Sequence, residues 1–251
     1  MTVQWLTAFL DRPEPVAAAS TAFWTGVTGS TVSPVRGERG RFATLLPPDG
    51  DPYLRTRTVL AGGGVHLDVH VADVDAAVRR AVAAGATARP EAGYAVLTSP
   101  AGLVWDLVPP LATADGGPRR PAPVTRPDGV RSLVDQLCLD IPPGPYAAEC
   151  AFWQAVTGWE LHQGSRPEFA YLARPEGMPL RLLLQRLDDA APGAPAACHL
   201  DLASTDVDRE VARHEAWGAR QVARFPRWTT LVDPAGVPYC VTGRNPDTGT
   251  V

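Results

Sequence analysis

His66-Leu67-Asp68-Val69, followed by Asp73-Val74-Asp75, comes back later in the chain as His199-Leu200-Asp201-Leu202 with Asp206-Val207-Asp208. Outward from these blocks, Gly85-Ala86 returns as Gly218-Ala219, and Ser99-Pro100-Ala101-Gly102 returns as Asp233-Pro234-Ala235-Gly236. On the N-terminal side, Phe23-Trp24-Thr25-Gly26-Val27-Thr28-Gly29 returns as Phe152-Trp153-Gln154-Ala155-Val156-Thr157-Gly158. All the matches keep one order and nearly one offset. Chance does not produce that, so the chain is a tandem duplication.

Between the copies runs a stretch carrying Pro118, Pro121, Pro123 and Pro127. It can neither nucleate a helix nor fill a central strand, and it reads as an extended linker. The expected organisation is a first domain over residues 1–110, a linker over 111–127 and a second domain over 128–245. The tail after Thr242, with its Gly, Asn and Pro, is expected to be loose.

Within each copy the hydrophobic period switches between two and 3.6. Val65 to Val71 alternates strictly, with apolar odd and polar even positions, as a half-buried strand does. Asp73 then stands as an N-cap, Val74, Val78, Ala81 and Val82 form a helical stripe, and Gly85 suits a left-handed helix end. Short strands about the Pro100 turn complete a βαβββ unit. Trp5–Leu10 reads as a strand ahead of a helix from Pro15 to Val27, with Val16, Ala19, Phe23 and Val27 on its inner face. In the second copy Leu133–Asp140 is the strand and Tyr146–Thr157 the helix. Four βαβββ units in all make an α+β fold.

Bulk properties exclude several classes of function. The net charge of −4 gives no pull toward nucleic acid or an anionic membrane. No apolar run approaches the ~20 residues of a spanning helix. The N-terminus MTVQWLTAFL resembles a first strand more than a signal peptide. Cys138, Cys150, Cys198 and Cys240 form no CxxC pair and read as buried thiols of a cytoplasmic protein. Gly62-Gly63-Gly64 precedes a strand, so it is not a phosphate loop, and neither GxSxG nor HExxH occurs.

The Phe-Trp-x-x-Val-Thr-Gly helix end, the His-Leu-Asp block with its Asp-Val-Asp and Gly-Ala, and the closing Asp233-Pro234-Ala235-Gly236 hairpin together resemble the vicinal oxygen chelate superfamily. That superfamily holds glyoxalase I, bleomycin-resistance proteins and extradiol dioxygenases. The resemblance covers nearly the whole chain and is greatest to tandem glyoxalase-like proteins. It implies two domains of paired βαβββ units, with curled mixed sheets forming a cleft, arranged as an intrachain pseudo-dimer; a homodimer is left open. It also implies four ligand positions per domain, on the first and last strands of each unit. In the first domain these align with Leu6, Arg57, His66 and Asp106. Leu6 cannot ligate and Arg57 would repel a cation, so Arg57, His66 and Asp106 form either a salt-bridged plug or an anion site. In the second domain the positions hold Asp135, Gln185, His199 and Cys240, with Gln136 competing with Asp135. That set suits a borderline divalent metal.

His66, His199, Asp106 and Cys240 lie on the strand face opposite their apolar neighbours. Trp24, Trp105 and Trp153 belong to the core, whereas Trp5, Trp159 and Trp228 are candidates for pocket walls. His70 reads as a partly exposed polar residue, and His162 and His214 receive no role. Two functions follow. One is a small-molecule binder in the manner of drug-sequestering relatives, using Arg57, His66, Asp106, Trp5 and Trp228. The other is a divalent-metal-dependent lyase, isomerase or dioxygenase-type enzyme using the second domain. A weaker third is an interaction protein whose cavities are filled.

Overall fold

The computed structural model describes residues 2–113, 116–191 and 193–250; Ala114 and Asp115 of the expected linker lie outside them. The first repeat runs β1 (Val3–Pro13), α1 (Glu14–Thr28), β2 (Thr31–Val32), β3 (Phe42–Leu46), β4 (Leu54–Val59), β5 (Gly64–Val71), α2 (Val74–Ala83), β6 (Thr87–Glu91), β7 (Tyr94–Thr98) and β8 (Val104–Val108). The second runs β9 (Val124–Thr125), β10 (Arg131–Ile141), α3 (Tyr146–Thr157), β11 (Leu161–Gln163), β12 (Phe169–Leu172), β13 (Arg181–Arg186), β14 (Ala197–Ser204), α4 (Val207–Ala216), β15 (Arg220–Arg224), β16 (Trp228–Val232) and β17 (Pro238–Thr242). Apart from β9, this is βαβββ four times over.

Two mixed sheets result, neither closed into a barrel. Their strand orders are β2-β3-β4-β1-β5-β8-β7-β6 and β11-β12-β13-β10-β14-β17-β16-β15. No helix among the described residues is long and apolar enough to cross a membrane.

The chain divides into two compact units. One holds Met1–Ala8, His66–Pro118 and Leu137–Cys198; the other holds Phe9–Val65, Arg119–Gln136 and His199–Val251. Each therefore takes one βαβββ motif from each repeat. The first has α2 and β5–β8 with α3 and β11–β13. The second has α1 and β2–β4 with α4 and β14–β17.

Aromatic packing shows why. In the first unit Trp105 of β8 lies 5.0 Å from Trp153 and 6.2 Å from Phe152, both on α3. In the second, Tyr239 of β17 lies 5.2 Å from Trp24 and 5.8 Å from Phe23, both on α1. Edge-to-face and tilted pairs of this kind add to the large apolar area that each ring buries. His214 of α4 joins the second cluster, fully buried and 3.0 Å from the Tyr239 hydroxyl.

A buried carboxylate ties each helix to a hairpin. Asp233 Oδ2 accepts from Arg12 at 2.8 Å, Trp24 Nε1 at 2.9 Å and Ser20 at 3.0 Å. Its Oδ1 accepts from the backbone N–H groups of Ala235 and Val237 in its own turn. In the first unit the equivalent hairpin carries Ser99, and the carboxylate comes from the helix instead. There Glu149 accepts from Trp153 Nε1 at 2.7 Å and from the Ala101 N–H at 2.8 Å.

This bonding turns α1 from its expected setting. Its buried residues are Ser20, Phe23, Trp24 and Val27, while Ala19 is exposed. Ser20 and Trp24 must reach Asp233, and that polar demand outweighs the small apolar gain of an alanine. In α2 the buried positions are Ala77 and Ala81, and Val82 is half exposed. Asp73 caps α2 as expected, accepting from the Ala76 N–H. Gly29 and Gly158 end α1 and α3 at φ values of 62° and 72°, where a Cβ would be strained.

The linker and tail are more fixed than their composition suggests. Val124–Thr125 pairs with β10, Pro121 is buried, and Arg120 donates to the carbonyls of Pro246 and Asp247. Arg131 pairs with the Asp247 carboxylate. The tail beyond Thr242 is thus held by ion pairs and backbone bonds, and its Arg244 is buried.

Replacing Asp233 with Ala leaves the Arg12 guanidinium buried without its carboxylate, and is expected to cost about 3–5 kcal/mol in urea unfolding. Glu149→Ala strands two neutral donors and should cost less, about 2 kcal/mol. Equal losses, or none for Asp233→Ala, would contradict this account of what holds the helices.

Candidate functional site

In the first unit β5 and β8 run parallel with Asp68 opposite Asp106. The period of two puts His66, Asp68 and His70 on one face of β5, while Leu67, Val69 and Val71 on the other are buried. Trp105 and Leu107, fully buried, take the same apolar side of β8, leaving Asp106 beside the histidine face. His66 Nε2 lies 3.2 Å from Asp106 Oδ2 and 3.5 Å from Asp68 Oδ1. Asp106 Oδ1 is buried and has no hydrogen-bond partner among the described residues.

Burial alone would lower the pKa of His66. The hydrogen bonds and negative charge of Asp106 and Asp68 outweigh it and raise the group to about 9. His66 is therefore an imidazolium at neutral pH, flanked by two carboxylates.

His70 is buried and not partly exposed, contrary to its sequence reading. Its ring bonds the Pro109 carbonyl at 2.8 Å and the Thr7 hydroxyl at 2.9 Å. Those two bonds engage both ring nitrogens, so this histidine positions β5. Trp5, in the same unit, is buried at 1% exposure.

The second unit repeats the pattern with different chemistry. Asp201 on β14 stands opposite Cys240 on β17. His199 Nε2 is 3.3 Å from Asp201 Oδ1 and 3.7 Å from Cys240 Sγ. The Gln136 amide donates to Asp201. Arg244, from the tail, pairs with Asp135, and a further nitrogen lies 3.8 Å from Asp201 Oδ2. Burial works to raise the Asp201 pKa, but His199, Arg244 and Gln136 together hold it below the usual carboxylate value. Burial, then the charge of Asp201, pushes the Cys240 thiol up, so it stays protonated.

Of the residues expected to act together in the second domain, His199 and Cys240 do meet. Asp135 is turned to Arg244, and the adjacent Gln136 faces Asp201. Gln185 belongs to the first unit, where its carbonyl oxygen lies 3.4 Å from Cys138 Sγ. Arg57 and Trp228 belong to the second unit. Arg57 pairs with Asp11 and lies 5.7 Å above the Phe9 ring; Trp228 stacks on Phe225 at 4.5 Å. The ionic cluster at His66 is thus made by Asp68 and Asp106, with Arg57 paired elsewhere.

Asp201 was the residue missed. Its signal was present, because an aspartate two positions after a histidine on a strand shares its face. Arg244 carried no local signal, lying in a polar tail after the last repeat match.

Both clusters place three potential metal donors within 4.8 Å of one another. Once His66 gives up its proton to a competing ion, the first offers one nitrogen and two carboxylate oxygens, which suit a borderline or hard divalent ion. In the second, Arg244 already supplies a positive charge beside Asp201, and the sulfur is held as a thiol. A divalent ion does not fit that arrangement.

Paired βαβββ units in two mixed sheets, with a histidine–carboxylate cluster on the polar strand face of each copy, make the fold of a vicinal-oxygen-chelate protein. The glyoxalase-like domain model matches residues 7–108 and again 136–242, so the chain belongs to the glyoxalase-like domain family, twice over.

Its fold is shared with solved structures of low sequence identity. A 2,2',3-trihydroxybiphenyl 1,2-dioxygenase from Sphingomonas wittichii is 15% identical at TM-score 0.65, over 96% of this chain and 90% of that one. The Mn(II)-bound glyoxalase of Novosphingobium aromaticivorans is 15% identical at 0.63, over 99% and 86%. A mutant 4-hydroxymandelate synthase from Streptomyces coelicolor is 17% identical at 0.60, over 96% and 92%. No curated protein matches the chain in sequence.

The raised His66 pKa has a stability consequence. A group whose pKa rises on folding from 6.5 to about 9 stabilises the protein fully below pH 6.5, and that contribution is lost as pH climbs through 9. In chelator-treated protein, an NMR titration of the His66 ring should give a midpoint above 8, falling toward 7 in Asp106→Asn. A midpoint near 6.5 in the parent protein would show that the two carboxylates do not hold the charge.

Proposed function

We propose that this glyoxalase-like protein binds a small molecule at His66, Asp68 and Asp106, on the polar strand face of β5 and β8. The observation that carries the reading is the buried Asp106 oxygen without a partner among the described residues, set beside a charged imidazolium. A buried acceptor of this kind is costly unless something donates to it. The fitting ligand carries a hydroxyl or amine that donates to Asp106. Ortho-dihydroxy arenes are natural probes, because the similar dioxygenase folds are named for such compounds. The four cysteines are buried thiols outside any disulfide, which supports a cytoplasmic setting.

A second reading places a divalent ion on the same three donors, as their 4.8 Å clustering allows. His66 Nε2 and one oxygen each of Asp68 and Asp106 would hold it, and the ion would polarise adjacent oxygens of a bound substrate. Either reading moves the working site to the first repeat. Of the two clusters, it is the one without a built-in arginine.

Metal analysis of protein purified without chelator, followed by calorimetry with catechol, separates these readings. The binder predicts saturable catechol binding in metal-free protein, weakened about tenfold or more in Asp106→Ala, as loss of a charged hydrogen bond implies. The metal reading predicts a stoichiometric ion that disappears in His66→Ala. Neither catechol nor metal binding, in a folded protein, would sink both.

A further inference from the structure

Arg244 brings a buried positive charge against Asp201, one of three clustered donors with His199 and Cys240. It comes from the segment after β17, is only 5% exposed, and has no counterpart in the repeat matches. Its guanidinium is paired with Asp135 and lies 3.8 Å from Asp201. Around it are His199, Cys240 and Gln136, of which His199, Asp201 and Cys240 place donor atoms within 4.8 Å of each other. Without the arginine this pocket would hold two buried carboxylates, an imidazole and a thiol. That is a net charge of −2 with nitrogen, oxygen and sulfur donors, the set that a zinc-like divalent ion takes.

We infer that the C-terminal segment plugs a latent divalent-metal site in the second repeat, with the Arg244 guanidinium serving as the resident cation in place of an ion. Guanidinium is suited to the task. It keeps its charge at all accessible pH values, and its planar fork reaches two carboxylates at once. The rest of the tail holds it there. Asp247, which follows it, is paired with Arg131 of β10, and the Asp247 carbonyl accepts from Arg120 of the linker, so the segment is anchored just beyond the arginine. A metal and the arginine exclude one another, because a divalent ion set on Asp201 would meet a fixed positive charge within about 4 Å. The inference concerns the second unit and stands apart from any ligand at His66.

The test is zinc binding by the full-length chain, followed by calorimetry and by the thermal midpoint. The parent protein should show no zinc site at His199. Arg244→Ala should bind one zinc on the order of 100-fold more tightly, and its thermal midpoint should rise when zinc is added. Adding His199→Ala to that variant should abolish the gain. Arg244→Lys, which keeps a cation, should not acquire the site. If Arg244→Ala alone fails to fold, the pair Asp135→Asn with Arg244→Met removes the stranded charge and still vacates the pocket. Zinc binding by the parent through His199, or none by either arginine-free variant, would overturn the proposal. A gain that survives His199→Ala would place the metal elsewhere and overturn it equally.

Discussion

Each compact unit depends on one buried carboxylate that two Trp-bearing helices could not do without. In the second unit Asp233 gathers five donors, among them Trp24 and Ser20 of α1 and the guanidinium of Arg12. In the first, Glu149 of α3 serves Trp153 and the Ala101 N–H. The indole nitrogens must be satisfied once the rings are buried, and a carboxylate near the closing hairpin is what satisfies them. The acceptor can come from either side of the contact. The hairpin supplies it in one unit and the helix in the other, and in both the tryptophan lies against an aromatic ring of β17 or β8. This interaction also dictates which motifs share a unit. It joins the helix of one repeat to the last hairpin of the other, and the aromatic clusters follow it.

The two histidine clusters show how one strand geometry supports different chemistry. The parallel register of β5 with β8, and of β14 with β17, places the histidine face and its neighbouring strand residue together in both repeats. In the first, that neighbour is Asp106, so His66 is charged between carboxylates and an acceptor remains. In the second, it is Cys240, a neutral thiol, while Gln136 and Arg244 answer Asp201 from other segments. The two copies keep one scaffold and differ in the side chains that face the histidine.

Much of this could be read along the chain. The repeat, the βαβββ order, the Asp73 cap and the placing of His66 and His199 opposite their apolar neighbours all follow from local period and turn chemistry, which are properties of short segments. The inner face of α1 was found at Phe23, Trp24 and Val27 but not at Ser20, because apolar count cannot see a distant carboxylate: Ser20 faces inward to bond Asp233. The tail was misjudged for a similar reason. Its Gly, Asn and Pro argue for looseness, and only long-range ion pairs through Arg131 and Arg120 hold it.

By itself the sequence determined the two-fold repetition, the class of fold and the polar strand face on which any chemistry must sit, because alternation along a strand is a local rule. Tertiary structure alone decided which motifs combine into a unit, that Asp68 and Asp201 close on the histidines, and that Arg244 sits against Asp135 and Asp201. Those facts depend on strands brought into register across long stretches of chain. Electrostatics acts through the space so created, and charge partners far apart in sequence leave no periodic trace in it.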